Sequence, residues 1–189
     1  RERQCLAEGL EMPDGMSREE FFKTVCPPLP DNFEIPPDEP SAARESDWRN
    51  FRQYVQENWS AERWRLHRWA YARLTERVDE HIGVVLDALE DAGLKDNTVV
   101  VFTSDHGDLD AAHRLEHKSM PYEEATNVPL IVSHPDQTRA GQVDKTHLVS
   151  TGLDLIPTLC DFAGIPTPDA LSGRSVKSLA TEDEPQAAW

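Results

Sequence analysis

Between residues 105 and 124 the chain concentrates the side chains from which hydrolytic sites are made: Asp105, His106, Asp108, Asp110, His113, Arg114, Glu116, His117, Lys118, Tyr122, Glu123 and Glu124. Three of the seven histidines fall within twelve residues. Carboxylates and imidazoles bind divalent cations and move protons, and a lysine supplies a movable point charge for an anion. Three readings compete for this segment. In the first, His113-Arg114-Leu115-Glu116-His117 is an H-x-x-E-H zinc-hydrolase motif. It needs a firm helix and a third ligand. Ser119-Met120-Pro121 ends any helix soon after, and nothing marks out that ligand. In the second, a metal sits where a strand ends. Asp105 offers a hard oxygen, His106 a second ligand, and Lys118 a charge for a tetrahedral oxyanion. This reading uses Asp105 and His106, which the first leaves idle. In the third, the segment is only a charged loop over the end of a sheet.

The elements around the segment decide where it can lie. Val99-Val100-Val101-Phe102 is an apolar, β-branched and aromatic run that reads as a strand buried on both faces. It stops in Ser104-Asp105-His106-Gly107, and in open α/β sheets ligands bind outside the carboxyl ends of strands. Upstream, Trp64, His67, Tyr71, Leu74, Val78, Ile82, Val85, Leu86 and Leu89 recur at steps of three and four, one face of a long helix stopped by Gly93. A separate helix is expected over Asp47–Trp59, with a break near Ser60. Downstream lie a second strand, Val128–Val132, and a helix, Thr151–Ala163, with Pro157 inside it and Gly164 closing it. Helix, short turn and apolar strand make half of a parallel β-α-β unit. The fold class expected is therefore α/β, part of a doubly wound sheet with flanking helices. Two strands cannot form such a sheet alone, so the chain is expected to be incomplete as a domain. Residues 1–45 hold seven of the 14 prolines and read as an extended surface segment, with a short helix near Ser17–Thr24 capped by Ser17 and Glu20. Residues 46–165 form the α/β part, and 166–189 return to a polar tail.

Composition narrows the partners. The chain has 189 residues, 19 basic against 35 acidic side chains and a formal net charge of −16. That disfavours nucleic acid, which needs a basic surface, while leaving room for a local anion pocket. No apolar run reaches membrane-spanning length, so no membrane partner is expected. Cys5, Cys26 and Cys160 are odd in number and widely spaced. They form no disulfide framework, and Cys160 reads as core. The first residues are not a signal peptide and residue 1 is not Met.

Val99-Val100-Val101-Phe102-Thr103-Ser104-Asp105-His106-Gly107, followed by a His, a Lys and Tyr122-Glu123-Glu124-Ala125-Thr126-Asn127-Val128-Pro129-Leu130-Ile131-Val132, resembles the sulfatase family of the alkaline phosphatase superfamily. The likeness extends over about residues 64–179. It takes in the helix through Val78-Asp79-Glu80-His81-Ile82-Gly83, the run Leu153-Asp154-Leu155-Ile156-Pro157-Thr158-Leu159, and Gly173-Arg174-Ser175. The resemblance implies hydrolysis of sulfate esters on small molecules or saccharides. Asp105 and His106 would be ligands of a divalent metal, usually calcium, with magnesium or manganese admitted by the histidine. Lys118 would contact the sulfate, with His113 catalytic beside it and Arg114 lining the substrate pocket. Pro121 departs from the family, which usually has a large apolar residue there. The family's C/S-x-P-S-R segment, source of its formylglycine nucleophile, is absent. Cys26-Pro27-Pro28-Leu29-Pro30 has the proline but neither the Ser nor the Arg. The early paired-aspartate metal site is absent too. The expectation is that residue 1 falls inside a sulfatase whose N-terminal half lies upstream and is this chain's partner, and that the chain alone is inactive. A phosphodiester or phosphonate monoester hydrolase of the same superfamily, and a non-catalytic remnant, are the alternatives.

Overall fold

The structure, a computed structural model, describes residues 11–45, 49–118 and 120–183. Cys5 and the expected start of the second helix at Asp47 lie outside them. The described residues fall into two compact units, one drawn from Arg1–Val85 and His106–Asn127, the other from Leu86–Asp105 and Val128–Trp189.

The first unit is helical. Helix α1 (Arg18–Thr24) starts where expected, with Ser17 Oγ accepting from the Glu20 amide at 3.2 Å, which satisfies one of the end amides a helix cannot pair internally. Helix α2 covers Ser41–Arg44, α3 Arg49–Asn58 and α4 Ala61–Asp91. The break between α3 and α4 falls at Ser60, whose Oγ accepts from the Arg63 amide at 3.2 Å. A short α5 (Glu123–Thr126) closes the unit. Trp64, Val55 and Ala111 form one core cluster with Leu29, Phe33 and Trp59 packed on it. Leu109, Leu115, Met120 and Ala125 form another, against Ala43 and Tyr122.

The proline-rich segment belongs to this packing, because it contributes Phe21 and Cys26 to the buried set. Its extended backbone leaves carbonyls without ladder partners, and arginines from α4 supply donors instead. Arg65 reaches the carbonyls of Cys26 at 2.6 Å and Pro27 at 2.7 Å, and Arg68 reaches that of Pro28. Glu39 and Arg52 form a buried ion pair. Tyr122 donates to Glu39 Oε1 at 2.8 Å, and Arg52 also donates to the Ala43 carbonyl at 2.8 Å.

In the second unit β1 (Val100–Thr103) pairs with β2 (Leu130–Ser133). The pairing corrects the parallel arrangement expected from the apolar runs. It is antiparallel, with Thr103 opposite Leu130 and Val100 opposite Ser133. The chain re-enters the sheet at the end it left, and without a crossover parallel pairing is impossible. Burial alternates along β2, and in β1 only Phe102 is exposed, so neither strand is buried on both faces. Val101, Leu130 and Val132 face α6 (Thr151–Ala163), around a narrow void shared with Leu155 and Thr158. Phe102 and Ile131, paired across the strands, stay exposed on the other face.

Pro157, buried inside α6, has no amide to give the Leu153 carbonyl, its partner four residues back. Gly173 lies over that carbonyl so closely that a Cβ there would sit 1.9 Å from the oxygen. The strap that follows is tied down by two buried side chains of α6. Asp154 accepts from the Arg174 amide at 2.9 Å and Thr158 from the Val176 amide at 3.0 Å. Helix α7 covers Lys177–Thr181. Cys160 is buried, as its spacing suggested. No helix among the described residues is long and apolar enough to cross a membrane.

Candidate functional site

Asp105 stands exposed two residues beyond the end of β1, in the second unit. His106 opens the first unit's share of the loop. Gly107 fixes the loop's path: its amide donates to the Ala125 carbonyl at 2.8 Å, and a Cβ there would lie 1.9 Å from the Glu124 carbonyl oxygen. Only glycine fits so close an approach.

From there the backbone winds through Asp110, Ala111, His113, Arg114 and His117, all non-glycine residues at positive φ, from 41° to 77°. Such conformations cost roughly 1 kcal/mol or more each. Backbone hydrogen bonds hold them, among them Leu109 to the His117 carbonyl at 2.7 Å, Ala111 to that of Leu115 at 3.0 Å, and His113 to that of Asn32 at 2.8 Å. Buried Ala111, Ala112 and Leu115 anchor the turn from below.

This backbone removes the zinc-hydrolase reading. Ala112–Arg114 is a 3-10 turn with His113 and Arg114 left-handed, Leu115 is extended and His117 is left-handed again, so the two imidazoles do not stack one helical turn apart. His113 lies against Tyr122, ring centroids 4.0 Å apart at 27°, with Nε2 3.8 Å from Glu124 Oε2. His117 points elsewhere, its Nε2 3.2 Å from Glu116 Oε1 and its Nδ1 3.9 Å from Asp108 Oδ2.

The loop instead brings His106 and Lys118 together. The Nδ1–H of His106 donates to the Gly107 carbonyl at 2.8 Å, which leaves Nε2 as the lone-pair nitrogen, and Lys118 Nζ donates to it. A backbone carbonyl on the other ring nitrogen is how metal-ligating histidines are oriented. Asp105 and His106 carry the donor atoms of two divalent-cation ligands, and a cation on His106 Nε2 would take the lone pair that Lys118 holds. No group of three or more His, Cys, Asp or Glu side chains able to hold a metal occurs among the described residues.

His113 and Arg114 make contacts of their own. The Nδ1 of His113 is buried without a hydrogen-bond partner. Arg114 donates to Glu34 at 3.0 Å and covers the Phe33 ring.

Around the loop the fold adds partners to these residues. Arg68 donates to Asp110 Oδ2 at 3.0 Å. Burial pushes the Asp110 carboxyl above its ordinary value, against the opposing pull of Arg68. Burial, then the charges of Asp108 and Asp110, raise the Tyr71 phenol. Burial, then the hydrogen bond to Glu39, push Tyr122 up to about 12. Glu116 is buried with Oε1 lacking a hydrogen bond. Glu39, Arg68 and Asn32 reach this loop from 35 or more residues away, and only the fold reveals them.

Known proteins bear on this arrangement directly. The Sulfatase family model matches residues 28–165. The chain is 34% identical over 163 residues to the Delta 4,5-hexuronate-2-O-sulfatase of Bacteroides thetaiotaomicron, a match covering 79% of the chain and 32% of that protein. A solved 2-O GAG sulfatase superposes over 100% of the chain and 41% of its own length, at a TM-score of 0.78 and 29% identity. A phosphonate monoester hydrolase from Silicibacter pomeroyi superposes over 86% of the chain and 33% of its own, at a TM-score of 0.63 and 27% identity. The α/β sheet, the flanking helices and the loop after β1 therefore belong to one fold, the alkaline-phosphatase-like fold of these enzymes. The chain is a member of the sulfatase family. It spans about a third of the length of the first of these relatives.

Proposed function

We propose that this chain carries the electrostatic part of a sulfatase site that hydrolyses sulfate esters of saccharides. The observation that carries the reading is the Lys118–His106 pair, held by a strained loop just beyond the end of β1. The sulfated saccharides named for its relatives support the substrate class.

Asp105 and His106 would hold the divalent cation, calcium by family likeness with magnesium or manganese as alternatives, and bound there it would supply positive charge against the sulfate oxygens. The C/S-x-P-S-R segment is not among these 189 residues, and the formylglycine made from it would supply the attacking oxygen from an N-terminal half of the same protein. Lys118, exposed on a flexible stem, holds a sulfate oxygen and offsets its growing charge. By the family likeness His113, stacked on the Tyr122 ring with Nε2 3.8 Å from Glu124 Oε2, would hand a ring proton to the leaving oxygen. By the family likeness Arg114, which donates to Glu34 at 3.0 Å, would line the substrate pocket.

The test is made on the enzyme containing this chain. Asp105→Asn is expected to abolish sulfate-ester turnover, and Lys118→Ala to cut kcat by about 10²–10³. Unchanged turnover in both would overturn the assignment. The 189 residues alone are expected to show no turnover and to bind calcium weakly by calorimetry; chelator-sensitive hydrolysis by them would contradict this. The similarity to the phosphonate monoester hydrolase favours a second reading, hydrolysis of phosphonate monoesters or phosphate diesters. Relative kcat/KM for an aryl sulfate and an aryl phosphate diester separates the two.

A further inference from the structure

Asn32, in the proline-rich segment before α2, touches the loop after β1 and the start of α5. Its backbone carbonyl accepts from the His113 amide at 2.8 Å. Its side-chain amide donates to Glu124 Oε1, because a carboxylate only accepts. The next two residues grip the same loop. Phe33 packs edge-on against Trp64 and lies beneath the Arg114 guanidinium, and Glu34 accepts from Arg114 at 3.0 Å.

The two bonds of Asn32 differ in what they need. Any residue at that position offers the carbonyl that holds His113 at its left-handed φ of 55°. The bond to Glu124 needs the asparagine side chain. Asn32 is exposed, so this side chain fills no core; what it supplies is a direction for Glu124. Glu124 is half-buried on α5, with one oxygen on Asn32 and the other, Oε2, 3.8 Å from His113 Nε2. That gap is too long for a hydrogen bond and short enough for an ion pair. Nδ1 of His113 is buried and its ring is stacked on Tyr122, so Nε2 is the nitrogen at which it exchanges a proton. Without the Asn32 amide, the Glu124 stem regains its rotamers and the carboxylate is no longer held at the ring.

We infer that Asn32 is a positioning residue of this site, acting through Glu124 to hold a carboxylate charge beside His113 Nε2. The inference rests on the sulfatase reading, in which His113 serves the leaving oxygen. As the S–O bond breaks, its electron pair stays on that oxygen and takes up the Nε2 proton, and the charged ring becomes neutral. A carboxylate held at Nε2 keeps the ring oriented and offsets its charge until then. A loosened Glu124 therefore costs most where the leaving oxygen most needs the proton.

The test is kcat of the full enzyme on 4-nitrophenyl, 4-chlorophenyl and 4-methoxyphenyl sulfate, whose leaving phenols grow more basic in that order. It compares wild type with Asn32→Ala, Glu124→Gln and His113→Ala, and thermal midpoints show that each is folded. Asn32→Ala is expected to lose more kcat at each step of the series, reaching about tenfold on 4-methoxyphenyl sulfate, with KM within about twofold. Glu124→Gln keeps an acceptor for Asn32 but no charge for the ring. It is expected to follow the same course, and it carries the test if Asn32→Ala does not fold. His113→Ala should show the steepest series, reaching about 10²-fold. An equal loss across the series would make Asn32 a plain staple of the loop and overturn the inference, as would a change in KM alone or no change. A steepened series for His113→Ala beside unsteepened ones for Asn32→Ala and Glu124→Gln leaves the sulfatase reading standing and defeats this inference. An even series for His113→Ala removes the proton donor of that reading and this inference with it. Wild-type enzyme inert on all three sulfates defeats both.

Discussion

Single residues decide whether the loop after β1 exists in its active form. Gly107 is the sharpest case. A methyl at that position would penetrate the Glu124 carbonyl, so Gly107→Ala must push α5 or the loop aside. A cost of about 1–3 kcal/mol is expected in urea unfolding. The shift acts on the residue after His106, so metal binding by the full enzyme should weaken as well; unchanged stability would show that the backbone yields freely. Tyr122 gives a prediction in pH. Its phenol is raised from the ordinary value of 10 to about 12, by burial first and then by the hydrogen bond and charge of Glu39. Below pH 10 both folded and unfolded chains hold the proton, and the hydrogen bond to Glu39 contributes in full. Between about 10 and 12 the unfolded chain loses the proton while the fold keeps it, so this stability is lost as pH rises through the window. An ultraviolet titration should show a phenolate component near pH 12 that Tyr122→Phe removes. Its persistence in the variant would assign it elsewhere.

At the scale of elements, local pattern was a good guide and distant pairing was not. The spacing from Trp64 to Leu89 marks α4, which the structure extends to Ala61–Asp91. The Ser17 cap and the helix from Thr151 to Ala163 also stand where their residues placed them. Strand direction was illegible, because an apolar run does not say from which end its neighbour returns. Whether H-x-x-E-H had the helix it needs was not legible, because spacing alone carries no φ and the left-handed residues that break it are not glycines. The ion pair between Glu39 and Arg52 was hidden for a related reason: Glu39 lies in a proline-rich stretch that reads as surface. Buried there, it joins the segment before α2 to α3 and, through Tyr122, to the start of α5. Removing one partner leaves the other charge buried. Glu39→Ala is therefore expected to cost about 3–5 kcal/mol. Arg18→Ala, which breaks an exposed pair with Glu62, should cost under about 1 kcal/mol. Chemical denaturation of the two variants checks the contrast; similar costs would mean the Glu39 site admits water.

For the molecule as a whole, two terms oppose each other. The second unit leaves Phe102 and Ile131 exposed on one sheet face, and Leu153 and Ile156 exposed on α6. A sheet of this class is normally covered by helices on both faces, and bare apolar surface drives association. Against this stands a formal net charge of −16, which keeps copies apart at low salt. The range of that repulsion is a Debye length of about 10 Å at 0.1 M and about 3 Å at 1 M salt, whereas apolar attraction does not weaken with salt. The isolated 189 residues are therefore expected to stay dispersed in dilute buffer, to bind an apolar dye through the bare face, and to self-associate as salt rises. Light scattering against sodium chloride concentration measures the last. Ile131→Lys, which places a charge in the middle of the exposed face, should move the onset to higher salt. Adding a polypeptide that carries the N-terminal half of the sulfatase domain should suppress both dye binding and association, because the same face is then covered. A chain that stays monomeric and dye-free at every salt concentration would show that the face is not sticky, and the case for a covering partner would lose its physical basis.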